Sequence, residues 1–266
     1  MLAALIVAAH GLPPLQMVAM AFSVASVVML VLVAWQGAWA RVRQPPAALA
    51  LGVYGLFGEH ALFFTAVRLA PPAEASLIAY LWPLLIVLFS GLLPGAGGLR
   101  IRQLGGAAMG LAGTAVLIGA GGEATATRWI GDGVALAVAF TWSSYSVLNR
   151  RFAAVPSEAI LGTCAAVAAL GLVTHLAIEP TVVPNARQLT AVVALGLGPT
   201  GLAFVAWDHA TKHGDLPLLG ALSYLAPLLS TAVLVATGIS PATWALPTAC
   251  LLIVGGAVVA SGSRPA

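Results

Sequence analysis

Apolar residues along this chain run in stretches approaching 20 positions, and polar or helix-breaking residues gather in short gaps between them. The spans lie near 2–9, 15–34, 48–68, 73–93, 101–120, 130–149, 157–178, 189–210, 216–237 and 242–261. Turn-forming sequence separates many of them, as at Gly11-Leu12-Pro13-Pro14, Gln44-Pro45-Pro46, Ala70-Pro71-Pro72 and Gly121-Gly122. Runs of this length suit membrane-crossing helices, whereas a barrel strand needs only about 9–11 alternating residues. The pattern predicts an all-α integral membrane protein of about ten transmembrane helices, with antiparallel neighbours and no room for a soluble domain. The first span is short. Leu2 to Ala9 would cover about 12 Å of a roughly 30 Å core, so the chain is expected to begin partway through a helix.

The pattern also repeats. At an offset of 144 residues, Tyr80-Leu81-Trp82-Pro83-Leu84-Leu85 falls on Tyr224-Leu225-Ala226-Pro227-Leu228-Leu229. At the same offset Arg43, Gln44, Ala47, Ala50, Leu51 and Gly52 fall on Arg187, Gln188, Ala191, Ala194, Leu195 and Gly196. Two five-span repeats are expected, residues 1–122 and 123–266. An odd number of spans per repeat makes the second copy enter the membrane inverted, a common plan among secondary transporters. Each copy carries a proline inside a span, which removes one helical hydrogen bond and clashes with the carbonyl four residues earlier. Pro83 and Pro227 are therefore candidate hinges.

Composition agrees with the pattern. The chain is 61% hydrophobic and 7% charged, against about 25% charged in soluble domains, and its mean hydropathy is +1.02. The pI near 9.2 does not point to nucleic acid, because the basic residues are isolated pairs between spans. With both termini inside, the inner loops hold Arg41, Arg43, Arg100, Arg102, Arg150, Arg151, Lys212 and Arg264, and the outer loops Arg68, Arg128 and Arg187. This positive-inside bias places both ends in the cytoplasm. The start, MLAALIVAAH, lacks the basic region of a cleavable signal. Cys164 and Cys250, each inside an apolar run, are expected to be free thiols.

Polar and aromatic residues at mid-span depth are the candidates for function, because ionisable groups there cost several kcal/mol, about 2.5–3.5 by insertion scales, unless they face water or a partner. Glu59 and His60 lie near the middle of the third span, next to a Gly52, Gly55, Gly58 row that allows close helix approach. His60 could hydrogen-bond substrate or serve as an interhelix bond. Glu59 could pair locally or act as a proton or cation site. Tyr80 and Trp82 flank Pro83, and a mid-span Trp needs a partner for its N–H. Trp142 and Tyr145 share a face of the sixth span with Asn149, an interfacial candidate. Ser223 and Tyr224 are candidates by repeat symmetry. Asp208 and Lys212, at i and i+4, read as a local ion pair. Gly106, Gly110 and Gly113 in the fifth span and Gly255 and Gly256 in the tenth read as a packing face, with homodimerisation as the alternative to a monomer.

Ten spans in five-plus-five form, the run Ala79-Tyr80-Leu81-Trp82-Pro83-Leu84-Leu85 and the ending Trp142 to Arg151 resemble the drug/metabolite transporter superfamily, EamA type. Gly58-Glu59-His60 with Tyr80-Leu81-Trp82-Pro83 resembles the YddG-type aromatic amino acid exporters within it. The resemblance implies a bacterial inner-membrane exporter of amino acids and related metabolites, with a central cavity lined by His60, Tyr80, Trp82 and Trp142. The residues themselves suit a flat apolar side chain by stacking and an ammonium by cation–π contact. An exporter of lipophilic or quaternary cations using Glu59 is the alternative. No mid-span Lys or Arg offers the clamp that phosphorylated cargo needs. No nucleophile with base, carboxylate pair, metal cluster or P-loop appears, so neither an enzyme nor a cofactor or metal is expected, and transport should be facilitated or gradient-driven. Adjacent helical positions point about 100° apart, so Glu59 and His60 are not expected to form a preassembled pair.

Overall fold

A computed structural model describes residues 2–92, 101–120, 125–213, 225–239 and 243–261. The described chain is helical: α1 (Leu2–Ala8), α2 (Pro14–Gln36), α3 (Pro46–Leu69), α4 (Pro72–Ala79), α5 (Trp82–Leu92), α6 (Ile101–Ala120), α7 (Ala126–Asn149), α8 (Ile160–Ile178), α9 (Ala186–Leu197), α10 (Ala203–His213), α11 (Leu225–Ala236) and α12 (Ala245–Ser261). Among the described residues, four helical stretches are long and apolar enough to cross a membrane: Pro14–Gln36, Pro46–Leu69, Ser157–Ile178 and Ala186–Ala210. Cys164 and Cys250 are buried free thiols.

The chain gathers into two compact units, which are not the two sequence halves. One comprises Met1–Phe64 with Leu148–Gly214, the other Thr65–Val147 with Asp215–Ala266. In the first unit α2 packs on α8 and α9, and α1 on α9. Small residues set the approach: a Cβ on Gly171 of α8 would stand 2.9 Å from the Ala19 nitrogen of α2, and one on Gly52 of α3 would stand 2.7 Å from Thr163 Cγ2 of α8. The start of α2 shows how its helix end is satisfied. Pro13 at the N-cap has no side-chain hydrogen bond to give, so the orphan N–H groups need an outside acceptor. The Glu179 carboxylate takes them, from Leu15 at 3.1 Å and Gln16 at 3.2 Å. His175 Nδ1 lies 3.0 Å from the same carboxylate.

In the second unit α6 packs on α12, α5 on both, and α11 on α4. The glycine rows of the fifth and tenth spans meet here. A Cβ on Gly113 would lie 2.9 Å from Ile253 Cγ1, and one on Gly256 would lie 3.0 Å from Met109 Cβ. The rows therefore serve helix packing within the chain.

Two spans depart from regular α-helix. The fourth stops at Ala79 and resumes at Trp82, leaving Tyr80 and Leu81 between two helices. Leu81 N–H falls back onto the Ile78 carbonyl, three residues earlier, at 3.1 Å. Pro83 then occupies the first turn of α5, where its missing N–H costs nothing. The eighth span, expected over 189–210, is one helical stretch, Ala186–Ala210, and within it Gly198–Leu202 forms a π-helical turn between α9 and α10. The cause is Pro199. Its missing N–H would have bonded the Leu195 carbonyl, and the Thr200 hydroxyl donates to that carbonyl instead, at 2.9 Å.

Candidate functional site

His60 is the most enclosed of the candidate residues in the first unit. Its imidazole is 1% exposed, and Nδ1 lies 2.9 Å from the Leu56 carbonyl. A carbonyl only accepts, so Nδ1 carries the hydrogen, and Nε2 of the neutral ring presents a lone pair. Nε2 has no hydrogen-bond partner among the described residues. Three phenylalanines surround the ring edge-on: Phe22 at 4.9 Å, Phe204 at 5.3 Å and Phe64 at 5.6 Å between centroids. They come from α2, α10 and α3, so three helices hold one imidazole. Edge-to-face contacts at these distances are favourable and fix the ring plane.

Glu59 departs from expectation. Its Oε2 lies 2.5 Å from His60 Nδ1, so the two adjacent residues are brought together, although the Nδ1 hydrogen is spent on the Leu56 carbonyl and Oε2 has no hydrogen-bond partner among the described residues. Their Cβ atoms diverge, but the glutamate side chain has enough torsions to fold back along the helix. Asp208 also differs from the expected local ion pair. Its carboxylate is buried and accepts from Ser157 Oγ at 2.5 Å and Asn149 Nδ2 at 3.2 Å. The side chain of Lys212 lies outside the described residues. Asn149, expected at the interface, thereby joins the end of α7 to α10.

The second unit holds Tyr80, Trp82, Trp142 and Tyr145. Tyr80 and Trp82 are half-buried on either side of Leu81, and Pro83 is buried. Trp142 and Tyr145, both buried, lie side by side with ring centroids 5.2 Å apart and planes tilted by 41°. Ser143, between them in sequence, reaches back to α5: its Oγ is 2.9 Å from the Trp82 carbonyl and 2.5 Å from that of Ala139. Its single proton is shared between the two acceptors, which ties α7 to the residue before Pro83. Ser223 and Tyr224 lie outside the described residues. So does the side chain of Pro227, whose backbone is part of α11.

Sequence reasoning missed three groups. Phe22 sits in an apolar stretch with nothing to separate it from other core residues, and Phe64, four residues after His60 on the same helix, reads as an ordinary core position. Arg128 counts as an outer-loop charge in the sequence, yet it lies in the first turn of α7, 8% exposed. Its Nη2 donates to Glu74 Oε1 of α4 at 2.7 Å. The pairing links residues 54 apart, a separation no local pattern signals.

Comparison with known proteins agrees with this arrangement of apolar helices. The EamA-like transporter family matches twice, over residues 2–119 and 129–262. The aromatic amino acid exporter YddG of Ancylobacter novellus is 50% identical over 255 residues, covering 94% of this chain and 88% of the relative. The protein of the same name from Escherichia coli is 22% identical, with the same coverage of 94% and 88%. A solved crystal structure that is 47% identical superposes with a TM-score of 0.78, covering 97% of this chain and 91% of its own. The chain belongs to the EamA-like transporter family.

Proposed function

We propose that this chain is a secondary transporter that exports small amino-acid-like metabolites, aromatic amino acids above all. The observation that carries the reading is the 50% identity, over nearly the whole chain, to a protein named as an aromatic amino acid exporter. The side chains support it. His60 offers a bare Nε2 as hydrogen-bond acceptor for an ammonium group. Trp82, Trp142, Tyr80 and Tyr145 offer flat faces for an aromatic side chain and for cation–π contact. Ser223 and Tyr224 are proposed as the equivalent groups of the second repeat. Glu59, turned onto His60, lends less support to the alternative of lipophilic-cation efflux.

Transport proceeds by alternating access in this reading, with the interrupted fourth span at Pro83 as a moving joint and Pro227 as its counterpart. The protein lies in the bacterial inner membrane with both termini in the cytoplasm, as two inverted five-span repeats, 1–122 and 123–266, and acts as a monomer. Proteoliposomes loaded with radiolabelled phenylalanine or tryptophan test the assignment. Protein-dependent efflux of either is the expected result. A folded protein that moves neither, under any imposed gradient, overturns it. Trp82→Ala, which copies the second repeat, is expected to weaken apparent affinity about tenfold, or ~1.4 kcal/mol, by loss of one stacking face. Unchanged affinity and flux would remove Trp82 from the recognition set.

A further inference from the structure

The second unit buries three charged side chains where α4 and α7 begin. Glu74 and Arg128 form the ion pair already described, 4% and 8% exposed. Asp132 follows Arg128 by four residues and so shares its helix face. It is 2% exposed, and neither carboxyl oxygen has a hydrogen-bond partner among the described residues. Glu74 and Arg128 both act on it electrostatically. The backbone leaves no slack at this point: a Cβ on Gly131 would stand 2.8 Å from the Ala70 nitrogen. The other described charge on that packed end of α3, Arg68, is exposed.

Two carboxylates facing one guanidinium leave one negative charge over. Glu74 has the guanidinium at 2.7 Å, so the excess falls on Asp132. A buried carboxylate with no donor is far costlier than the neutral acid. A metal ion would need a shell of about six oxygens. No group of ligating residues among those described could hold one.

We propose that Asp132 is a proton-binding site that switches the Arg128 clamp on α4. With the proton bound, Asp132 is neutral, and Arg128 stays on Glu74 and ties α4 to α7. When the proton leaves to water, the Asp132 carboxylate competes with Glu74 for the guanidinium along its own helix. The hold on α4 then loosens, and α4 is the segment that ends at the Tyr80–Leu81 interruption. Asp132 is not among the groups proposed to recognise substrate, and its test is scored on protons and stability rather than on flux.

Infrared difference spectroscopy of the purified protein in lipid, stepped from about pH 5 to pH 9, reads carboxyl protonation directly. The expected result is a protonated-carboxyl band that disappears as pH rises and is missing from Asp132→Asn. Thermal unfolding gives a second readout. A native state that holds a proton the unfolded chain releases loses stability as pH rises. The wild-type midpoint should therefore fall across that range, and Asp132→Asn should lack that part of the fall. Identical spectra for the two proteins would overturn the proposal. So would an Asp132→Asn protein that fails to fold, or that melts lower at neutral pH with an unchanged pH slope. Either would make Asp132 an ionised structural partner of Arg128, because a neutral isostere of a neutral group is tolerated.

Discussion

The fourth and eighth spans each carry a proline inside an apolar run, and they resolve it differently. At Pro83 the helix ends, two residues leave helical geometry, and a new helix begins. At Pro199 the helix widens into a π turn and continues. The difference lies in what happens to the carbonyl the proline orphans. Thr200 hydroxyl takes over the Leu195 carbonyl, so the eighth span needs no break. The fourth span has Trp82 before its proline and Leu84 after it, with no hydroxyl to spare. There the chain shortens its hydrogen bonds toward i−3 and stops. A proline in a membrane helix is therefore not a hinge by itself. What surrounds it decides whether the helix parts or continues.

Substitutions in either span separate the two outcomes. The largest stability effect is expected where the interrupted span is held to its neighbour. Arg128→Met leaves the buried Glu74 carboxylate without its cation, and should cost about 3–5 kcal/mol. Thermal unfolding in detergent would measure it, and a change below about 1 kcal/mol would mean that the pair is worth no more than a surface salt bridge. A smaller loss is expected in the continuous span. Thr200→Val removes the donor to Leu195, leaves the carbonyl orphaned, and should cost about 1–3 kcal/mol. If the eighth span then parts as the fourth does, hydrogen exchange in residues 203–213 will rise. No change in exchange or midpoint would show that the π turn does not depend on the hydroxyl.

Much of the fold was legible in the sequence, because a membrane helix announces itself by length and apolarity alone. The glycine rows were legible too, since only close packing rewards small residues at helical spacing, and Gly113 and Gly256 do face partner helices. The interruption at Tyr80–Leu81 followed from Pro83. The π turn did not follow from Pro199, although Gly198-Pro199 marks the place, because its form depends on Thr200 filling one specific carbonyl. The site was legible only in part. His60 stood out as a polar residue in an apolar run, but its ring of Phe22, Phe64 and Phe204 is assembled from three helices. Glu59 was misjudged because Cβ directions do not fix where a long side chain ends. Glu74 reaches Arg128 and Asp132, and Phe22 and Phe204 reach His60, only after the helices pack.

In the proposed reading, the broken fourth span is the moving joint of an aromatic amino acid exporter. Phenylalanine efflux from proteoliposomes, compared between Pro83→Ala and Pro199→Ala at equal protein density, tests it most directly. Pro83→Ala supplies an N–H that can bond the Ala79 carbonyl and removes the ring that clashes with it, which should fuse α4 with α5, raise the melting temperature and reduce flux more than tenfold. Pro199→Ala should leave flux close to that of the unaltered protein, because Thr200 already bonds the carbonyl concerned. Equal flux from the two variants would contradict the account.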